Sequence, residues 1–322
     1  MQKPDAAKAY RSRRRKLLSS IQSEYFTKSG RLAIPTVTAQ ALSLCFGIAK
    51  GQDRKRLAAE FNQNVLRHEC RVTTGFIGTP YLLFALWDNG FPETAQKVLM
   101  NGACSGWLYE VDMGATTVWE RWNGIRPDGS LTDPRMNSMN HYANGAVMEF
   151  VWRRIAGIEP LTAGFKKIKI APRPVKGLPE LNAEFQSVNG TVKVSYRQSG
   201  NKIKYRLEVP KGIRAEISLL NENPVIVGAG SYTFERACEE LSVPPYTPES
   251  FVREVFDNPK AVEAFNRVFG GIFTGSEIAW MYRDNKTLQF MAEFRDSEGK
   301  MRLKDFPAML KKANELFMKD WQ

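Results

Sequence analysis

The chain has 322 residues and a formal net charge of +12, long enough for two ordinary domains with full cores. Its 43% hydrophobic and 25% charged content is that of a globular protein, which excludes a disordered or fibrous chain. No apolar run approaches the roughly 18 to 20 residues of a membrane span, and the basic N-terminus MQKPDAAKAYRSRRRKLLSS lacks the apolar core of a secretory signal.

Residues 1–160 read as helices with short breaks. Ala6–Tyr25 is the first, with Arg11, Arg13, Arg14, Arg15 and Lys16 on it beside an apolar stripe of Tyr10, Leu17, Leu18 and Ile21. No nucleic-acid motif accompanies the basic cluster, so it reads as a solvated helix face. Thr36–Ala49 and Asp53–Arg67 follow, the latter with Asp53 as an expected cap. Pro80–Trp87 and Pro92–Met100 each open on a first-turn proline. Thr117–Trp122 reads as a short helix and Ser138–Ile155 as a long amphipathic one ending at Gly157. Neighbouring antiparallel pairs make helical hairpins the natural arrangement. The connections Gly102–Ala115 and Asn123–Asn137 are long and rich in Gly, Asp and aromatic residues, the composition of site-bearing loops.

From Phe165 the period changes to two. FKKIKIAP, LNAEFQSV, GTVKVSYR, NKIKYRLEVP, AEISLL and SYTFE alternate apolar and polar residues. Asn189-Gly190 and Ser199-Gly200-Asn201 read as hairpin turns. Residues 161–236 are therefore expected to form an antiparallel β-sandwich. Residues 237–322 return to helices: Pro248–Phe256, Pro259–Phe269, a break at Gly270-Gly271, Ser276–Met281 and Asp305–Trp321, with a short hairpin expected in Asn285–Arg302. The expected organisation is α+β and multidomain.

The chemistry narrows by elimination. Two histidines, His68 and His141, and four dispersed cysteines, Cys45, Cys70, Cys104 and Cys238, give no metal or disulfide spacing. No metal or cofactor is expected, and the cysteines read as reduced thiols of a cytoplasmic protein. There is no phosphate-cradling glycine loop and no GxSxG. What remains is carboxylates among aromatics. In GATTVWERWNG, Glu120 sits between Trp119 and Trp122, with Trp107, Tyr109, Glu110 and Asp112 upstream and Asn140, His141 and Tyr142 downstream. Indole faces cover the apolar side of a sugar ring, and an ionised carboxylate activates a water. The competing structural reading pairs Glu120 with Arg121 or Arg126 and places the tryptophans in the core.

The stretches GFIGTPYLLFALWDNG, SGWLYEVDMGATTVWERWNG, NHYANGAVMEFVWRRIAGI and GFKKIKIAPRP resemble the C-terminal half of bacterial α-L-rhamnosidases, over about Ala6 to Glu235. The resemblance implies a partial (α/α) six-hairpin toroid over 1–160, then the β-sandwich, then a small helical appendage. It implies inverting hydrolysis of terminal α-L-rhamnose, with Glu120 as general base, His141 on the sugar hydroxyls, and Trp107, Trp119 and Trp122 at the pocket. Its partner would be a rhamnose-containing glycoside or polysaccharide, not nucleic acid or membrane. The family's acidic motif for the general acid has no counterpart upstream of Glu120. A chain with the base and without the acid is expected to turn over little substrate alone. An incomplete toroid would expose apolar surface for a missing half or a second copy to cover. The alternatives are a carbohydrate-binding protein without catalysis and the remnant of a truncated gene.

Overall fold

The computed structural model describes residues 3–126, 129–133, 135, 138–199, 201–220, 222–239, 241, 246–256, 258–271 and 286–319. They divide into two compact units, one of residues 1–108, 117–122 and 138–146, the other of 109–116, 123–137 and 147–322. The expected helix Ser276–Met281 lies outside the described residues, as do Gly200 of the second hairpin turn and the end of the expected Asp305–Trp321 helix. No helix among the described residues is long and apolar enough to cross a membrane.

The first unit is helical. It contains α1 (Pro4–Tyr25), α2 (Val37–Cys45), α3 (Gly51–Arg67), α4 (Thr79–Trp87) and α5 (Pro92–Leu99). Thr36 caps α2 by accepting from the Ala39 amide at 3.2 Å, while Asp53 is not a cap but a first-turn residue of α3 paired with Arg56. Helices α2 to α5 enclose the apolar core, in which Ala41, Leu44, Phe61, Leu82, Leu86 and Val98 are closed to solvent. Helix α1 differs: none of its 22 residues is buried. Arg14 reaches the Phe46 carbonyl and Gln22 the Ile48 carbonyl, so α1 is held by polar contacts. Its Tyr10, Leu17 and Tyr25 remain exposed, as do Ile34 and Phe46.

Helix α6 (Trp107–Asp112) carries the chain from the first unit into the second, in a segment expected to be a loop. Two further short helices follow, α7 (Tyr142–Gly145) in the first unit and α8 (Val147–Phe150) in the second. A π-helical turn, Val151–Ile155, continues from α8.

The second unit holds two four-stranded sheets. One has the order β1 (Ile158–Pro160), β2 (Lys167–Ile170), β6 (Arg214–Ile217), β7 (Val225–Val227); the other runs β3 (Glu180–Ser187), β4 (Gly190–Ser199), β5 (Lys202–Val209), β8 (Gly230–Ala237). Pairing is antiparallel except between β2 and β6, which are parallel. Alternation sends Ile203, Tyr205 and Leu207 of β5 inward, where they meet Ile168, Ile170, Ala215 and Ile217 in one core.

The rest of this unit is α9 (Val252–Phe256), α10 (Pro259–Phe269), α11 (Leu288–Ser297) and α12 (Phe306–Lys319), around a separate core that includes Val255, Phe265, Leu288, Met291 and Phe306. The hairpin expected within Asn285–Arg302 is instead α11: Thr287 accepts from the Phe290 amide as its cap, and Leu288, Met291, Ala292 and Arg295 form its buried face at helical spacing. Gly270 ends α10 in the left-handed conformation at φ 59°.

Asn258, almost wholly buried, caps α10 by accepting from the Lys260 and Ala261 amides, and its own amide donates to Asp112 at 2.5 Å. Burial pushes the Asp112 carboxyl up to about 7, against the charge of Lys260 and the Asn258 hydrogen bond, which pull it down. A carboxyl raised on folding holds its proton more tightly folded than unfolded. Its contribution to stability is therefore full below the ordinary value of 3.8 and is lost as pH climbs to about 7. Urea unfolding at pH 5 and pH 8 is expected to show a loss in the parent chain that Asp112→Asn does not show, on the order of 1–4 kcal/mol. Parallel pH profiles for the two proteins would remove Asp112 as the cause.

Candidate active site

Glu120 and His141 lie in the same unit, on two segments bonded side by side. The Glu120 amide donates to the Ser138 carbonyl at 2.9 Å, and the His141 amide donates to the Val118 carbonyl at 2.8 Å. The Thr117 hydroxyl donates to the Met139 carbonyl. These bonds are why residues 117–122 are not helical and why the expected helix from Ser138 begins only at Tyr142. The backbone groups that a helix would use internally are bonded across to the other segment. Ser138 adds a local competitor, its hydroxyl donating to the Asn140 carbonyl while accepting from the Asn140 amide. Glu120 is thus not at a helix N-terminus.

The Glu120 side chain is half-buried and accepts from the Ser138 amide at 3.0 Å through Oε2. Among the described residues no arginine or lysine forms an ion pair with it. Arg126 instead donates to the Thr132 carbonyl, within the second unit. The structural alternative raised by the sequence, a carboxylate tied to Arg121 or Arg126, is therefore not what the coordinates show.

His141 is not an interior helix residue. Its backbone is extended (φ −129°, ψ 121°) and it caps α7, with Nδ1 accepting from the Ala143 amide at 3.4 Å. That bond leaves the proton on Nε2. The ring is stacked between Phe76, at 4.2 Å and 20°, and the exposed Tyr142, at 5.2 Å and 16°. Phe76 is therefore part of the site, and sequence gave no local sign of it: 65 positions separate it from His141. Its only mark is an apolar residue in a glycine-bracketed turn, GFIG.

The three tryptophans divide. Trp119 is only 2% exposed and belongs to the core, while Trp107, also buried, meets the half-buried Trp122 edge to face at 5.4 Å. Only Trp122 offers appreciable indole surface. The residue that joins the group is Asn144, whose role has no local signal in the sequence. It is 2% exposed, its amide donates to the carbonyls of Trp119 (2.9 Å) and Glu120 (3.3 Å), and its backbone carbonyl accepts from the Trp107 indole N–H (2.9 Å). Asn144→Ala would leave two carbonyls without this donor, at a cost of about 1–3 kcal/mol. Thermal unfolding of the variant is expected to report that loss; an unchanged midpoint would show that water replaces the amide.

The helical unit and the two-sheet unit are the two parts of the fold, and the first carries a half-buried carboxylate with no ion pair among the described residues. The particular family follows from comparison. Residues 1–155 match the model of the bacterial α-L-rhamnosidase six-hairpin glycosidase domain, and residues 157–233 that of the bacterial α-L-rhamnosidase C-terminal domain. Through these residues the chain belongs to the bacterial α-L-rhamnosidase family. It is 33% identical over 228 residues to an α-L-rhamnosidase of Streptomyces avermitilis, covering 71% of this chain and 22% of the relative. It is also 33% identical over 200 residues to one from Formosa agariphila, covering 62% of this chain and 22% of that protein. The chain thus spans about a fifth of the length of these relatives. Among solved structures it is similar to the S. avermitilis α-L-rhamnosidase complexed with L-rhamnose, with TM-score 0.66 at 30% identity over 71% of this chain and 24% of that one. It is similar also to the Aspergillus terreus enzyme, with TM-score 0.69 at 29% identity over 73% of this chain and 28% of that one.

Proposed function

We propose that the chain carries the water-activating side of an inverting α-L-rhamnoside hydrolase. The observation that supports this most is Glu120: half-buried, held by one backbone amide, and without an ion pair among the described residues. Such a carboxylate has an oxygen available to take a proton from water as that water attacks the anomeric carbon. The Ser138 amide fixes the other oxygen and so the orientation of the group. His141 presents its Nε2 proton to a sugar hydroxyl, its plane fixed by the Phe76 and Tyr142 rings. Trp122 closes one side of the ring. Trp107 and Trp119, buried as they are, shape this wall from behind.

Inversion needs a second carboxyl group, protonated, roughly 6.5–9.5 Å from the base. We place that acid outside the present sequence, on a further polypeptide segment or a partner, and assign the exposed apolar residues of α1 to the surface such a segment covers. A rhamnose-terminated glycoside is the proposed substrate. A cytoplasmic location is proposed on the cysteine pattern alone.

The test follows from leaving-group chemistry. An aryl rhamnoside with an acidic phenol needs little help from a general acid, whereas an alkyl rhamnoside needs much. The chain alone is expected to release L-rhamnose slowly from the dinitrophenyl glycoside, as the β-anomer first, and to leave alkyl rhamnosides intact. Release of the α-anomer first would contradict inversion. Rhamnose binding with no release from either substrate would favour a carbohydrate-binding protein without catalysis.

A further inference from the structure

We infer that the second unit holds a separate saccharide-binding pocket, built where the π-helical turn meets the β-sandwich. It takes a terminal 6-deoxyhexose of the glycan. The pocket has a volume of about 570 Å³, inside the roughly 300–1,000 Å³ range of small-molecule sites. Its lining combines rings, Trp152, Phe165 and Phe185, with charged groups, Glu149, Arg153 and Glu159. All the residues belong to one compact unit and none to the Glu120 site.

The rings form a continuous half-buried surface. Phe165 stacks on Phe185 at 4.8 Å and 23°, and Trp152 meets Phe185 at 5.9 Å and 68°. Phe165 is a costly way to complete it, because its backbone lies in the left-handed region at φ 56°, directly after Gly164 at φ 73°. Trp152 lies in the π-helical turn, an arrangement that recurs at functional sites. In the same lining, Arg153 bonds Glu149 at 2.8 Å and Glu159 at 3.0 Å, and Arg154 also bonds Glu159, at 2.6 Å. Burial raises the Glu159 carboxyl, but the hydrogen bonds and charges of Arg154 and Arg153 outweigh it and hold the group below its ordinary value. The charged wall is therefore fixed and ionised. The Glu149 side chain, 61% exposed, stands at the rim with an oxygen able to accept from a hydroxyl.

A lining that joins rings to fixed charges suits a pyranose: C–H groups and a C6 methyl pack on the rings while hydroxyls bond the carboxylates and guanidinium. An apolar peptide would leave the charges unmatched, and a simple anion would not use the rings. Naming a 6-deoxyhexose rests on the rhamnosidase reading; the presence of the pocket does not.

The probe is methyl α-L-rhamnopyranoside, titrated into the full chain by saturation-transfer NMR. Binding is expected to persist in Glu120→Gln/His141→Ala, which disables the other site. With Phe165→Gly/Glu149→Gln added to that background, it is expected to weaken at least tenfold. Glycine relieves the backbone at residue 165, so that variant is expected to melt no lower than the parent. Should it melt lower, Glu149→Gln alone decides, with about threefold weakening expected. Affinity within the error of the parent in the pocket variants, or loss of all binding in Glu120→Gln/His141→Ala, would overturn the inference. Pocket-dependent binding without any aryl rhamnoside hydrolysis would sink only the catalytic reading. Hydrolysis without pocket-dependent binding would sink only this one.

Discussion

Glu120→Gln is expected to lower aryl rhamnoside hydrolysis by about two to four orders of magnitude, the usual contribution of a general base. Glutamine keeps the shape of the side chain and one carbonyl oxygen. That oxygen can still accept from the Ser138 amide, which Glu120 Oε2 accepts from at 3.0 Å. The two segments joined by the Glu120 and His141 amides should therefore stay in register, and L-rhamnose affinity should change by less than threefold. What glutamine cannot do is take a proton from water. The loss should thus fall on kcat and spare KM, the signature of an interaction made only in the transition state. Equal losses in kcat and in rhamnose affinity would mark Glu120 as a structural residue.

The largest expected effect on stability lies elsewhere, at Gly157. Its φ is +71°, and a Cβ added there would stand 2.1 Å from the Ala171 carbonyl carbon, 2.2 Å from its oxygen and 2.5 Å from the Pro172 nitrogen. Each of these is backbone, so no rotamer change can make room. The same approach is fixed by the Ala171 amide donating to the Gly157 carbonyl at 2.9 Å. Relief would require moving β1 off β2, where Ile158 pairs with Ile170 and both are buried. Gly157→Ala combines a left-handed conformation with overpacking, each costing roughly 1–3 kcal/mol, for a total of about 2–6 kcal/mol. That is a large share of an ordinary domain's stability. Urea unfolding of the second unit should show a sharply lowered midpoint or an insoluble product. A variant with the parent midpoint would mean that the close approach is not maintained in solution.

Several parts of this organisation are legible in the residues. Pro92 and Thr36 mark helix starts because a ring locks φ and a hydroxyl caps, and Gly157 marks an end because only glycine accepts its backbone. The alternation in Lys202–Val209 reads as a half-buried strand because period two is unambiguous there. Two segments depart from the helical expectation for one cause. Thr117–Trp122 and Ser138–His141 carry helix-compatible residues, yet their backbone groups bond to each other across the intervening residues. Local periodicity cannot register such a pairing. The same limit hid Asn144 and Phe76, whose roles depend on partners 24 and 65 positions away. Leu288–Ser297 forms a helix in place of the expected hairpin for a different reason. Its Phe290, Phe294 and charged residues suit a hairpin as well as a helix, and the Thr287 cap decides it. Glu120 and the tryptophans stood out because a carboxylate between indoles is an expensive composition in either a core or a solvated turn. Which indole faces outward was not legible, since burial of Trp119 and Trp107 follows from the fold around them.

The role proposed for Glu120 is to activate the attacking nucleophile. Glu120→Gly with added azide, acting on dinitrophenyl α-L-rhamnoside, tests this most directly, because a small anion can occupy the space of the missing carboxylate and attack in place of water. The expected result is a rate that rises with azide concentration and a product that is β-L-rhamnopyranosyl azide. A folded variant whose rate ignores azide, or one that hydrolyses the substrate as fast as the parent, would contradict it.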